Sequence, residues 1–170
     1  MTEEIILTGM VILASPVGEY DKRVVILTKE RGLITAFAKG AKRPKSQFSA
    51  STRPFSFGKF TVYEGKNAYN LVNTEIENYF EEIMEDMDRI SYGFYFLELA
   101  QYFGVENMES KNMLLLLYQS LRALIHPSLD NRLVRRIYEL KMLCIHGEYP
   151  GMFECCLLYT SPSPRDLSTS

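Results

Sequence analysis

The sequence predicts an α+β chain, with a five-stranded barrel over residues 1–75 and a helical domain over residues 76–156. Two changes of pattern carry this. Up to residue 73, β-branched and aromatic runs of six to nine residues are separated by Gly, Pro and Asn turns. From residue 76 on, apolar residues recur at spacings of three and four, and Gly and Pro retreat to the segment ends.

The strands follow in order. Residues 5–13 are β-rich and interrupted by Gly9, where a bulge or bend fits. Ser15-Pro16-Val17-Gly18 is turn chemistry, and residues 23–28 form the second strand. Glu30-Arg31-Gly32 turns the chain so that residues 33–38 pair back as a hairpin. A basic loop comes next. Residues 57–64 are the fourth strand, Gly65-Lys66-Asn67 a turn, and residues 68–73 the fifth. Five short strands with one long loop suit a partly open Greek-key barrel of the oligonucleotide/oligosaccharide-binding (OB) type.

Thr74-Glu75-Ile76-Glu77 reads as a capping box that opens the helical part. Ile76, Tyr79, Phe80, Ile83, Met87, Ile90, Phe94 and Leu97 then form an apolar stripe, which Gly93 is placed to break. Ser110 can cap a helix over residues 113–125, ended by His126-Pro127. Asp130 or Asn131 can cap another over residues 133–145, ended by His146-Gly147. Residues 157–170 are Ser/Pro-rich without period; they read as a disordered, non-native tail and are set aside.

With 170 residues and 46% hydrophobic content, a sizeable core is within reach. The acidic start Met1-Thr2-Glu3-Glu4 is not a secretory signal, and the longest apolar run, residues 113–118, is far short of a membrane span. Three cysteines, an odd number, argue against a disulfide framework and for a reducing cytosol. The expectation is a cytoplasmic protein with no membrane partner.

The charge distribution is the main functional signal. The chain is formally −2, yet between residues 22 and 59 ten basic residues face a single acid, Glu30. That is the footprint of a polyanion site. Lys39, Lys42, Arg43 and Lys45 crowd the loop, with Lys22, Arg23 and Arg53 in support. Lysines and arginines so placed neutralise phosphates without reading bases. Phe37, Phe48, Phe55, Phe57, Phe60, Tyr63 and Tyr69 are the aromatic supply for stacking unpaired bases.

Other motifs fall to simpler readings. Gly40-Ala41-Lys42-Arg43-Pro44-Lys45-Ser46 lacks the second Gly of a phosphate-binding P-loop. His126 and His146 sit at helix ends, where capping outweighs catalysis. The acids between Glu81 and Asp88 read as a solvated helix face, and Cys144 as core. No catalytic constellation is present, so the chain is not read as an enzyme.

The run from Val17 to Ser46 resembles the N-terminal signature of the RecO family of bacterial recombination mediators. The likeness lies in the Gly18-Glu19-x-Asp21 turn, the Thr28-x-x-x-Gly32 hairpin and the Lys39-Gly40-Ala41-x-Arg43-x-x-Ser46 loop. Arg53-Pro54-Phe55-Ser56, Glu98-Leu99 and residues 141–150 continue it, to about residue 155. The resemblance implies an OB domain and a helical domain. It also implies binding of single- and double-stranded DNA, strand annealing, and partnership with RecR and single-strand binding protein while RecA is loaded. It further implies a four-cysteine zinc site in many members, opening with Cys-x-x-Cys. Here Cys155 stands where that pair begins, but position 158 is Leu. The expectation is a chain truncated inside that module, with no structural zinc in these 170 residues and a zinc site in the full-length protein.

Single-strand binding proteins end in an acidic tail with an apolar tip. Arg132, Arg135 and Arg136, beside Leu133, Ile137 and Leu140, offer cations next to an apolar face for such a tail. The simpler account is an amphipathic core helix with solvated arginines. Two rival functions remain at this point: an OB-fold binder of RNA or tRNA, and a scaffold whose basic loop docks an acidic peptide.

Overall fold

A computed structural model describes residues 3–147. Five strands, β1 (Glu4–Val17), β2 (Asp21–Thr28), β3 (Gly32–Ala38), β4 (Phe57–Glu64) and β5 (Tyr69–Asn78), close a barrel in the order β1-β2-β3-β5-β4. β1 pairs antiparallel with β4 through its first half and with β2 through its second, so one long strand serves both neighbours. Gly9 lies at the handover, opposite both Thr28 and Gly58. The irregularity expected at Gly9 falls instead between Val11 and Leu13. Closure is completed by a short parallel contact, Ala36 with Tyr69 and Phe37 with Asn70.

Two boundaries move. β1 continues through Ser15 and Pro16, which pair with Arg23 and Lys22, so the turn shrinks to residues 18–20. β5 continues through the expected capping box: Thr74, Glu75 and Ile76 lie opposite Phe60, Lys59 and Gly58 of β4. Burial alternates residue by residue from Thr74 to Asn78, the period of a strand. Pairing with β4 therefore overrides the local helix signal, and the barrel ends at Asn78 rather than residue 75.

Leu7, Val11, Val24, Ile26, Ile34, Phe60, Val62 and Leu71 fill the barrel interior. Between β3 and β4 the chain makes one helical turn, α1 (Phe48–Ser51), whose Phe48 joins that core.

The predicted helix over residues 76–103 is three elements. After β5, the Asn78 Oδ1 accepts the Phe80 N–H at 2.8 Å, and Phe80 takes a left-handed conformation with φ 51°. A 3₁₀ turn (Glu81–Glu85) follows, then α2 (Met87–Phe103), whose first turn is capped by Asp86 Oδ1 accepting from the Arg89 N–H at 3.0 Å. The acids between Glu81 and Asp88 are exposed there. Gly93 does not break α2. A Cβ at that position would press on Ile83 and the Phe55 ring, both 3.1 Å away, so the missing side chain lets the 3₁₀ turn and the segment ahead of β4 approach the helix.

Helices α3 (Lys111–Ile125) and α4 (Asn131–Ile145) complete the fold. Asp130 caps α4, its Oδ1 accepting from the Arg132 N–H at 2.7 Å. Ser110 occupies the cap position of α3, but its hydroxyl donates to the Met108 carbonyl instead of accepting from the helix.

The helices pack on the outside of the barrel. Met10, Ile12 and Leu27 leave the barrel interior to join Phe96, Leu117, Leu121 and Tyr138 in a second core. Tyr138, fully buried, stacks on Phe96 at 4.2 Å and donates its hydroxyl to the Phe96 carbonyl at 2.7 Å. Burial pushes its ionisation far upward, so it remains a neutral donor. His146, at the end of α4, places its two ring nitrogens against the carbonyls of Met142 and Phe103, joining α4 to the end of α2.

Among the described residues, no helix is long and apolar enough to cross a membrane. Nor do three His, Cys, Asp or Glu side chains gather to hold a metal there. Cys155, Cys156 and the tail over residues 157–170 lie outside the described residues.

Candidate nucleic-acid interface

The basic loop is a preformed structure. Residues 38–46 make three successive tight turns, with N–H to carbonyl bonds Ala41 to Ala38, Arg43 to Gly40 and Ser46 to Arg43. Ala41 is fully buried and anchors the loop in the barrel core. Two further ties fasten it to the β1–β2 turn. The Gly40 N–H donates to Asp21 Oδ1 at 2.7 Å, and the Lys42 N–H donates to the Tyr20 carbonyl at 2.8 Å. The backbone is thus held down while Lys39, Lys42, Arg43 and Lys45 stand exposed on its outer side.

The supporting residues take three positions. Lys22, opposite Ala38, is half-buried, and its Nζ donates to Thr52 Oγ1 at 3.3 Å beside the end of α1. That contact orients the ammonium without neutralising it. Arg23, opposite Phe37, is exposed on the outer face of β2. Arg53 lies past α1, its Nε bonded to the Ala50 carbonyl. Among the described residues, none of these seven cations lies within salt-bridge distance of a carboxylate. Arg31, from the same island, does: it faces Glu64 at 3.9 Å. Lys22, Arg23, Lys39, Lys42 and Arg43 are brought together around the β1–β2 turn. Lys45 and Arg53 extend the set towards α1.

The aromatic supply sorts by burial. Phe48, Phe55, Phe60 and Tyr69 are buried, and Phe57 packs on Tyr118 of α3 at 4.6 Å. These five belong to the cores. Phe37 and Tyr63 are half-buried on the outer face, in one register row that runs Arg23, Phe37, Asn70, Tyr63 across β2, β3, β5 and β4. Two relevant tyrosines escaped the sequence reading. Tyr20, 44% exposed, lies under the Arg43 guanidinium at 5.0 Å. Tyr79, assigned by periodicity to a helical stripe, faces Arg53 at 5.8 Å from the link after β5. Asp21 was also missed as the anchor of the loop. Its place in the Gly-x-x-Asp turn, just ahead of a basic strand start, was the available signal.

The N-terminal part of the chain, residues 1–80, matches the family model described as recombination protein O N terminal. Residues 84–170 match the model for recombination protein O C terminal. This chain belongs to the RecO family. It is 35% identical over 139 residues to the DNA repair protein RecO of Clostridium novyi, covering 82% of this chain and 54% of that protein. It is 33% identical over 147 residues to that of Alkaliphilus metalliredigens, and 34% identical over 162 residues to that of Listeria monocytogenes. Those matches cover 86% and 95% of this chain, and 60% and 63% of the two relatives. The chain therefore spans a little over half the length of these curated RecO proteins.

In the helical part of this RecO-family chain, α4 separates its three arginines. Arg135 donates from Nε to Glu139 Oε1 at 2.8 Å and lies over the Tyr95 ring at 4.9 Å. Tyr95 donates its hydroxyl to the same carboxylate oxygen at 2.7 Å, and Arg136 reaches the other at 3.4 Å. Arg132 is exposed, with no carboxylate within salt-bridge distance among the described residues. Burial favours the neutral form of Glu139, but hydrogen bonds from Arg135 and Tyr95, with the charges of both arginines, hold its carboxyl below the ordinary range.

A depressed carboxyl contributes stability that is present above the unfolded value, about 4.3, and is lost as pH falls through the lower folded value. Glu139→Gln should therefore cost about 1 kcal/mol at neutral pH, because the arginines are partly solvent-screened. The difference should shrink as pH falls below the unfolded value and through the lower folded one, as the carboxyl becomes protonated in both states. Urea melts of the two proteins from pH 3 to 7 check this; a gap that stays constant across the range would disprove it.

Proposed function

We propose that the chain is the DNA-binding part of a recombination mediator that acts in DNA repair without bond chemistry. The observation that carries this reading is the cluster of cations, without ion-pair partners among the described residues, around a loop whose backbone is already fixed. Ordering costs little, because the turns exist before the ligand arrives, and the charges are free to meet phosphates. Neutralising two strands together lowers their repulsion and lets complementary bases pair, which is strand annealing. Support for loading of RecA, and a cytoplasmic place on the nucleoid, follow from that role. The decisive measurement is binding of labelled single-stranded DNA over a range of salt, competed by RNA of the same sequence. A steep salt dependence with weaker competition by RNA supports the reading, and stronger competition by RNA moves it to an RNA binder.

The partner reading places the acidic tail of single-strand binding protein on α4, with RecR as a further partner of the assembled mediator. A groove of about 190 Å³ between α3 and α4 supports it, lined among others by Leu116, Ala123, Leu129, Leu133, Ile137 and Lys141. Leu133 and Ile137 are 54% and 43% exposed beside the Arg132 guanidinium, an apolar surface next to a cation. Arg132 and Lys141 supply positive charge along it, while Arg135 and Arg136 share the Glu139 carboxylate, Arg136 at the longer 3.4 Å. A labelled acidic tail peptide should bind the wild type and lose about tenfold in affinity to Arg132→Ala/Arg136→Ala, roughly one weak charge-assisted contact. Equal binding by both proteins would remove the helix as receptor.

A further inference from the structure

Tyr20, in the β1–β2 turn, and Tyr79, just past β5, have the same arrangement. Each carries, over its ring, an arginine that has no carboxylate partner among the described residues. Tyr20 sits in the β1–β2 turn beneath Arg43, and its backbone carbonyl holds the basic loop through Lys42. Tyr79 sits beyond α1 facing Arg53. Between the two pairs stands Lys22, tied to Thr52, the residue before Arg53. The contacts thus run from the β1–β2 turn to the link after β5: Arg43 with Tyr20, then Lys22 with Thr52, then Arg53 with Tyr79. A single strand offers both a phosphate for each cation and an unpaired base for each ring, and a duplex does not, since its bases are already stacked inside.

The surroundings of Tyr79 separate base from phosphate. Arg53, Pro54, Ser56, Tyr79, Glu81 and Met84 line an open cavity of about 240 Å³. Its walls include the Pro54 ring, the Tyr79 ring and the Met84 thioether, surfaces suited to a flat apolar face. Glu81, also in the lining, repels a phosphate but can accept hydrogen bonds from a base amino group. Met84 is 49% exposed although large and apolar, which fits an apolar wall open to a ligand.

We propose that Tyr20 and Tyr79 are base-stacking residues of this interface and give it a preference for single-stranded over double-stranded DNA. The inference rests on the DNA-binding reading above. On binding, a base takes the ring face that the guanidinium covers in the free protein, and the arginine swings to the flanking phosphate. Arg43 and Arg53 thereby serve as placeholders that hold the rings in place until a base displaces them.

The test compares Tyr20→Leu, Tyr79→Leu and the double variant with Tyr20→Phe and Tyr79→Phe. Binding of a labelled oligothymidine and of a hairpin duplex is measured across a salt series. Each Leu variant should lose about tenfold on the single strand, while duplex affinity and the salt slope stay unchanged. Each Phe variant should keep wild-type affinity, because the ring remains. A strand carrying 2-aminopurine should lose less fluorescence on binding the Leu variants, since stacking quenches it. Thermal melts identify any variant that fails to fold, and the Phe variants with the 2-aminopurine signal then decide. Unchanged single-strand binding by the Leu variants, with a steep salt slope intact, overturns the stacking proposal and leaves the phosphate reading standing. A wild type without salt-dependent binding overturns both.

Discussion

Replacing the four loop cations should weaken single-strand binding by about 10²–10³-fold near 0.1 M salt and flatten its log–log salt slope by roughly 2–3 units. The magnitude comes from counterion release, at about 0.7 per phosphate contact on a single strand. The variant to make is Lys39→Ala/Lys42→Ala/Arg43→Ala with Lys45→Asn, because Lys45 has φ 62°, a conformation Asn tolerates better than Ala. The fold should survive. All four side chains are exposed, and the ties to Asp21 and the Tyr20 carbonyl come from backbone N–H groups that the substitutions retain. An unchanged slope in a folded variant would show that the loop is a solvated surface and nothing more. The tyrosine variants provide the contrast, since they should lower affinity while leaving the slope alone.

What was legible in the sequence divides by range of interaction. The strand β4 was placed to the residue, because its limits are set locally by Ser56 before it and Gly65 after it. The extension of β5 over Thr74–Asn78 was not, because Thr-x-x-Glu there satisfies a helix signal as well as a strand alternation. Only the presence of β4, more than ten residues earlier, decides between them. Gly93 looks like a breaker for the same reason: its purpose is visible only when Phe55 arrives from the segment ahead of β4. The basic loop was legible, since charge survives any fold. Its anchor Asp21 and its tyrosines were not, because composition does not say which exposed ring a distant arginine will cover. On α4, the three arginines looked equivalent by spacing, yet Glu139 engages Arg135 closely, beside Tyr95, and Arg136 more loosely, and leaves Arg132 alone.

Gly32→Ala should be among the most destabilising single substitutions in the chain, by about 4 kcal/mol or more. Gly32 ends the β2–β3 turn with φ 65°, where a Cβ costs about 1–2 kcal/mol. It is also where the barrel meets the helices. The turn is laced to residues 105–110 by three backbone bonds: Leu33 N–H to the Val105 carbonyl at 3.1 Å, Asn107 N–H to the Arg31 carbonyl at 2.9 Å, and Ser110 N–H to the Lys29 carbonyl at 2.9 Å. A Cβ on residue 32 would collide with the carbonyl oxygen of Val105 and stand 2.6 Å from that of Met108. Neither atom can swing aside as a side chain could, so the lacing must open. Overpacking of about 1–3 kcal/mol and the loss of bonds worth about 1 kcal/mol each then add to the backbone strain. Gly18→Ala is the matched control. Gly18 has nearly the same φ, 59°, but a Cβ there meets nothing within 4 Å. It should cost only the strain, a fall in Tm of about 2–6 °C, against more than about 8 °C for Gly32→Ala. Equal shifts would mean that the junction carries no special load. Salt dependence of binding should separate the junction from the interface. Gly32 lies at the Thr28 end of the β2–β3 ladder and the loop cations at the Lys22–Ala38 end, so Gly32→Ala molecules that remain folded should keep the wild-type slope.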